Sequence, residues 1–210
     1  MDQSLENKKF RLRVTYKKTG VLAYVSHLEL IKSLEACIRR SGLPYCVSQG
    51  YSPHMKISFG PALAVGIESE KQIFDIYLKT YIKPNEALCA LKEASKNSLE
   101  ISGCKYIDNS EVSASANFGQ IEYCVLVDKN IKEIKIPKQI KIEKKRKEKI
   151  FEVSKYLCGE VKLTKEGSYT KLNFCLNSYE TGSLKPVDFL NSILEYSGCS
   201  EYKIINFKII

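Results

Sequence analysis

Residues 10–42 read FRLRVTYKKTGVLAYVSHLELIKSLEACIRRSG, and two different periods lie side by side in them. In Phe10–Tyr16 the apolar Phe10, Leu12, Val14 and Tyr16 alternate with Arg11, Arg13 and Thr15. Period two with one apolar side is the pattern of a strand with one buried face. Lys18-Thr19-Gly20 is a turn, and Val21–Val25 is a second short apolar stretch. Ser26 and Glu29 stand at the spacing of a capping box, in which each side chain satisfies the other's backbone N–H. The spacing predicts a helix from His27 to Ser41, with Leu28, Ile31, Leu34 and Ile38 as its apolar stripe. Arg39 and Arg40 suit the partial negative charge of the last turn. Gly42 suits a left-handed stop, and Leu43-Pro44 cannot prolong the helix.

The same two periods return downstream. Tyr45–Val47 is extended, Ser48–His54 (SQGYSPH) is a turn-rich loop, and Lys56–Phe59 is a short extended segment. Lys71–Leu78 alternates again, with Phe74, Ile76 and Leu78 opposite Ile73, Asp75 and Tyr77. Pro84 opens a second helix that carries Leu88 and Leu91 and runs to about Lys96, and Leu99–Tyr106 is a further strand. Strand, helix, strand, strand, helix, strand is the ferredoxin-like plan, with both helices on one sheet face. Asp108–Gly119 (DNSEVSASANFG) is small and polar and reads as a linker. Beyond it the pattern repeats without sequence identity: a strand at Ile121–Val127, a helix over Glu143–Leu157, and a hairpin of Val161–Thr164 and Ser168–Leu176. A helix at Pro186–Tyr196 and a strand at Tyr202–Ile209 complete it. The expected fold is α+β, two tandem ferredoxin-like (βαββαβ) domains over residues 1–108 and 120–210.

With 210 residues, 44% of them apolar and 27% charged, the chain is ordinary globular material and not a disordered tail. No apolar run is long enough to span a membrane. The opening MDQSLENKK is polar and unlike a secretory signal, so a cytoplasmic location with reduced thiols is expected. None of the eight cysteines forms a C-x-x-C pair or a close triplet, which argues against a local zinc site or an iron–sulfur cluster. Most sit in apolar stretches and read as packing residues. No metal or cofactor is expected of this chain.

The net charge of +9 favours an anionic partner, nucleic acid first. Residues 131–150 hold nine basic and three acidic residues, a net of +6, with Lys144, Lys145, Arg146 and Lys147 in one run. Lysines in such a stripe bind phosphates by releasing counterions, without reading sequence. Arg11, Arg13 and Lys17, with Ile73 and Tyr77, point away from the predicted helices. A sheet face of basic groups and an aromatic is how small αβ modules clamp single-stranded RNA. In Ser26–Phe59, Gln49, Tyr51, His54 and Lys56 supply an amide, a flat ring and two basic groups suited to reading bases. Arg39 and Arg40 add backbone contacts. A metal-independent ribonuclease would instead draw its base, acid and cation from His27, His54, Lys56 and Arg40. Gly182-Ser183-Leu184-Lys185-Pro186 puts Lys185 at a helix start, where an anion site is conceivable.

FRLRVTYKKTG, SHLELIKSLEACIRRSGLP and SQGYSPHMKISFGPALAVGIESE together resemble a bacterial family known as radical-SAM-linked proteins. Its pattern reads S-H-L-D/E-L, R-R-x-G-L-P, S-Q-G-F/Y-x-P-x-x-K/R-I-S-F and G-x-x-S-E, and every element stands here within residues 10–80. GSLKP is similar to that family's G-S-x-R/K-P, whereas LTKEGSYTKLNF lacks its acidic D-x-R-P-like element. The resemblance implies a partnership with a cobalamin-binding radical SAM protein and a role in RNA modification or processing. Cluster chemistry would belong to that partner. Three roles fit such a chain: an RNA-binding accessory that presents RNA to a radical SAM protein, an endoribonuclease using His27 or His54, or a protein-interaction module that never touches RNA.

Overall fold

Phe10, Leu12, Val14 and Tyr16 alternate because they belong to strand β1 (Phe10–Lys18), and Leu12, Val14 and Tyr16 are buried. The computed structural model describes residues 9–95, 99–117, 119–144, 147–179 and 182–210. They form two compact units: the first takes the described residues to Val65 and Ser69–Asn117, the second Gly66–Glu68 and 119–210.

In the first unit β1 is followed by a 3₁₀ turn at Gly20–Tyr24, which takes up most of the short apolar stretch 21–25, and then by α1 (His27–Arg40). The capping box forms: the Glu29 N–H donates to Ser26 Oγ and the Ser26 N–H to the Glu29 carboxylate. The helix stops at Gly42, whose φ of +70° lies where a side chain is disfavoured. The buried stripe is Leu30, Leu34, Cys37 and Ile38. Leu28 is a correction: it stands about 135° around the helix from the centre of that stripe and faces solvent.

β2 (Ile57–Phe59), β3 (Glu68–Leu78), α2 (Pro84–Ser95) and β4 (Glu100–Tyr106) follow. The strand order is β4-β1-β3-β2, antiparallel throughout. α1 and α2 share one core with Leu12, Val14, Phe74, Ile76 and Leu78. Each such side chain contributes about 1.5–3 kcal/mol on burial.

In the second unit β5 (Gln120–Val127), β8 (Leu157–Glu166), β9 (Tyr169–Asn177) and β10 (Ile204–Ile209) pair in the order β10-β5-β9-β8, again antiparallel. α4 (Pro186–Tyr196) buries Phe189, Leu190, Ile193 and Leu194, with the Phe189 ring 5.0 Å from Phe174 on β9. The helix expected over 143–157 is not formed. β6 (Gln139–Lys144) and β7 (Lys147–Glu152) pair there residue for residue, and only Val153–Tyr156, α3, is helical. The lysine and glutamate run favours helix by propensity, but Ile140 and Ile142 alternate with Lys141 and Glu143, and that period decides. The described residues thus form a mixed α+β protein. None of their helices is long and apolar enough to cross a membrane.

Candidate nucleic-acid interface

On the sheet face away from α1 and α2, a cross-strand row runs Ser58 on β2, Asp75 on β3, Arg13 on β1 and Lys105 on β4. Asp75 is fully buried and fully used. Its Oδ1 accepts from Arg13 Nε at 2.7 Å. Its Oδ2 accepts from Arg11 Nη2 at 2.7 Å, Arg13 Nη2 at 3.0 Å and the Ala114 N–H at 2.9 Å. Burial alone would raise its pKa, but the hydrogen bonds from Arg13, Arg11 and Ala114 outweigh burial and hold it below the usual carboxylate value. The same hydrogen bonding to Asp75 raises the pKa of Arg13.

Arg11 does not lie open to a phosphate, because it is 3% exposed. Its Nη1 donates to the Glu111 carbonyl at 2.7 Å and its Nη2 to the Val112 carbonyl at 2.9 Å. Arg13 shares the Val112 carbonyl at 2.7 Å. Ser58 Oγ donates to Ser115 Oγ and accepts from the Ser115 N–H, both at 3.0 Å. The segment read as a linker is therefore tied down over this face by two guanidiniums, a carboxylate and a serine. Lys105, which sequence reading passed over, stays exposed at the end of the row.

Beside this row the chain builds a closed loop. The Cys46 N–H donates to the Tyr77 carbonyl at 2.7 Å and the Lys56 N–H to the Cys46 carbonyl at 2.8 Å, which ties the base to β3. Above it, Val47 bridges Met55. The Ser48 N–H donates to the His54 carbonyl at 2.7 Å, and the His54 N–H to Ser48 Oγ at 3.0 Å. Gln49, Tyr51 and His54 lie on the exposed part, and the Tyr51 ring is completely exposed. Lys56 Nζ sits 4.4 Å from the centroid of the Tyr77 ring, a cation–π contact. The loop thus offers a bare aromatic, an amide and two basic side chains on a hydrogen-bonded base.

The four residues considered for ribonuclease chemistry do not converge. His27 opens α1 and Arg40 ends it, about 20 Å apart along the axis. Arg40 donates from Nε and Nη2 to the Ala94 carbonyl at 3.1 and 2.9 Å, where it caps the end of α2. His27 packs edge-on against Phe59, with ring centroids 6.5 Å apart. Burial first, and the charge of Lys18 second, lower its pKa. Lys18 is itself buried, with Nζ donating to the Ala23 carbonyl at 2.8 Å, and burial lowers its pKa too.

Lys17 lies between Glu70 at 3.1 Å and Glu100 at 2.8 Å. Arg39 is exposed and meets Glu35 at 3.4 Å. Lys144 and Lys147 are in register at the ends of β6 and β7, and Lys145 and Arg146 lie outside the described residues. Lys185 is exposed immediately before α4, but Ser183 Oγ beside it is occupied by the Tyr179 N–H. Among the described residues no three His, Cys, Asp or Glu side chains gather as a metal site would require.

A family model described as "Uncharacterized protein conserved in bacteria (DUF2344)" matches residues 11–186 and so takes in both the loop and the Gly182–Pro186 turn. Among curated proteins none matches the chain.

Proposed function

The chain belongs to this bacterial family, and from that premise we propose that it binds single-stranded RNA as a non-catalytic accessory protein and presents it to a radical SAM partner in the cytoplasm. The observation that carries the reading is Tyr51. A large ring left wholly exposed, on a loop closed at Ser48 and His54, is a ready stacking platform. Lys56 and Lys105 supply charge for the RNA backbone, and Gln49 supplies base-edge hydrogen bonds. Arg11 is left out of the surface because Asp75 and the carbonyls of Glu111 and Val112 use its donors. The partner rests on the motif resemblance of SHLEL and SQGYSPHMKISF. The strand orders β4-β1-β3-β2 and β10-β5-β9-β8 support two ferredoxin-like units, the second with a β-hairpin and one helical turn in place of its first helix.

Fluorescence anisotropy of a labelled single-stranded RNA tests the reading. Saturable binding that weakens as salt rises is expected, with the RNA intact on a gel after incubation in EDTA. No binding at low salt would overturn it. RNA cleavage that disappears in His54→Ala would replace it with the nuclease.

A further inference from the structure

Cys158 on β8 and Cys175 on β9 are direct cross-strand partners, and Glu122 on β5 stands opposite Cys175 in the next pairing. Directly opposed residues of an antiparallel pair have Cα atoms about 4.5 or 5.5 Å apart. Both values fall within the roughly 4.4–6.8 Å that a disulfide spans. Both thiols are free and half-buried, on the side of β9 away from Leu172, Phe174 and Leu176. They line a cavity of about 270 Å³ shared with Glu122, Lys162 and Asn173, through which a small reagent can reach them. Next to Cys158 the register of β8 shifts before Lys162, and Gly159 there has φ +72°. Such bulges let a strand re-aim a side chain.

We infer that Cys158 and Cys175 form a redox-active thiol pair that a small-molecule disulfide of the glutathione type closes into a reversible cross-strand disulfide. The order of steps follows from the strand positions, with Cys175 on β9 between β5 and β8 and Cys158 on the edge strand β8. Burial first, then the hydrogen bond and charge of Cys158 and the charge of Glu122, push the Cys175 thiol up to about 11. Cys158, on the edge strand β8 beside the Gly159 bulge, meets the reagent first and, once its proton is lost to solvent, starts the exchange. It attacks one sulfur of the small disulfide, whose S–S bond breaks and whose other half leaves as a thiolate. Cys175 then attacks the Cys158 sulfur, forms the protein S–S bond and expels the second half. The two protein thiols are oxidised and the small disulfide is reduced. Their two protons end on the two small thiols released.

The test uses the full chain and oxidised glutathione, followed by alkylation of the remaining thiols and peptide mapping by mass spectrometry. A Cys158–Cys175 linked peptide, two hydrogens lighter than its reduced parts and reopened by dithiothreitol, is expected as the main crosslink. Cys175→Ser should stop at a stable glutathione adduct on Cys158, and Cys158→Ser should leave Cys175 alkylatable. Should a variant not fold, the wild-type map decides alone. The exposed Cys89 is the internal control. If Cys89 carries glutathione while Cys158 and Cys175 are still alkylated, or if another pairing dominates, the inference fails.

Discussion

Arg13 and Asp75 stand directly opposite each other on β1 and β3, and Arg13 Nε reaches Asp75 Oδ1 at 2.7 Å. Arg11 comes to the same carboxylate from the neighbouring register position, with side chains only 2% and 0% exposed for the pair. One carboxylate thus pairs with two guanidiniums, which leaves the group a net charge of +1, and Arg13 is the member still partly open to water.

Removing it leaves a buried Arg11 charge without its counter-ion. Asp75→Asn should lower unfolding stability by about 3–5 kcal/mol, the usual cost of breaking a buried pair, as read from urea denaturation. The folded-state pKa of Asp75 lies below its ordinary 3.8. Its contribution is therefore complete above pH 3.8 and is lost as the pH falls through the lower folded value. Acid titration of the wild type should show that loss, and Asp75→Asn should not.

His27 works in the same sense at higher pH, but here it is the neutral form that folding favours. Its pKa lies below 6.5, so between that lowered value and 6.5 the unfolded chain binds more protons. Stability should rise with pH across that window, and His27→Gln should flatten the rise. An NMR titration placing His27 at or above 6.5 would contradict its half-buried setting beside Lys18.

Ser26→Ala removes the side-chain half of the α1 capping box. A loss of about 1 kcal/mol in thermal or urea unfolding is expected. The Glu29 carboxyl, held low by the side-chain and backbone hydrogen bonds of Ser26, should move up.

Tyr51→Ala should leave stability unchanged, since the ring touches solvent alone. RNA affinity should drop by about 5- to 150-fold, the equivalent of roughly 1–3 kcal/mol of stacking. Equal anisotropy curves for wild type and variant would remove Tyr51 from the surface.

Lys56→Gln should weaken RNA binding regardless of sequence. It should also reduce the slope of log affinity against log salt by about 0.7, one phosphate contact on a single strand. An unchanged slope would mean that Lys56 serves only the Tyr77 ring.

What could be read from the sequence was local. Ser26, Glu29 and Gly42 announce α1 within one stretch of chain, and Pro186 announces α4 in the same way. What could not be read depended on distant partners. Arg11 looks like a surface cation until Asp75, 64 positions away, is seen to hold it. Cys158 and Cys175 read as packing residues because nothing in the sequence states the register that sets them opposite each other. Leu28 fits one helical stripe and Leu30 another, and only the position of the sheet chooses between them. Over 139–152 the local signals compete, with helix-favouring lysines set on a period-two pattern, and pairing settles the contest.

That ribbon gives the lysines of the second half another consequence. β6 and β7 pair only with each other among the described strands, so each keeps an outer edge of backbone donors and acceptors. Ile142 and Ile150 would make such an edge attractive to a strand from another chain. Lys141 stands opposite Ile150 and Lys149 opposite Ile142, both lysines exposed, and a second copy bringing the same lysines alongside would meet like charge. Lys141 and Lys149 would therefore oppose edge-to-edge self-association, whether or not RNA is present.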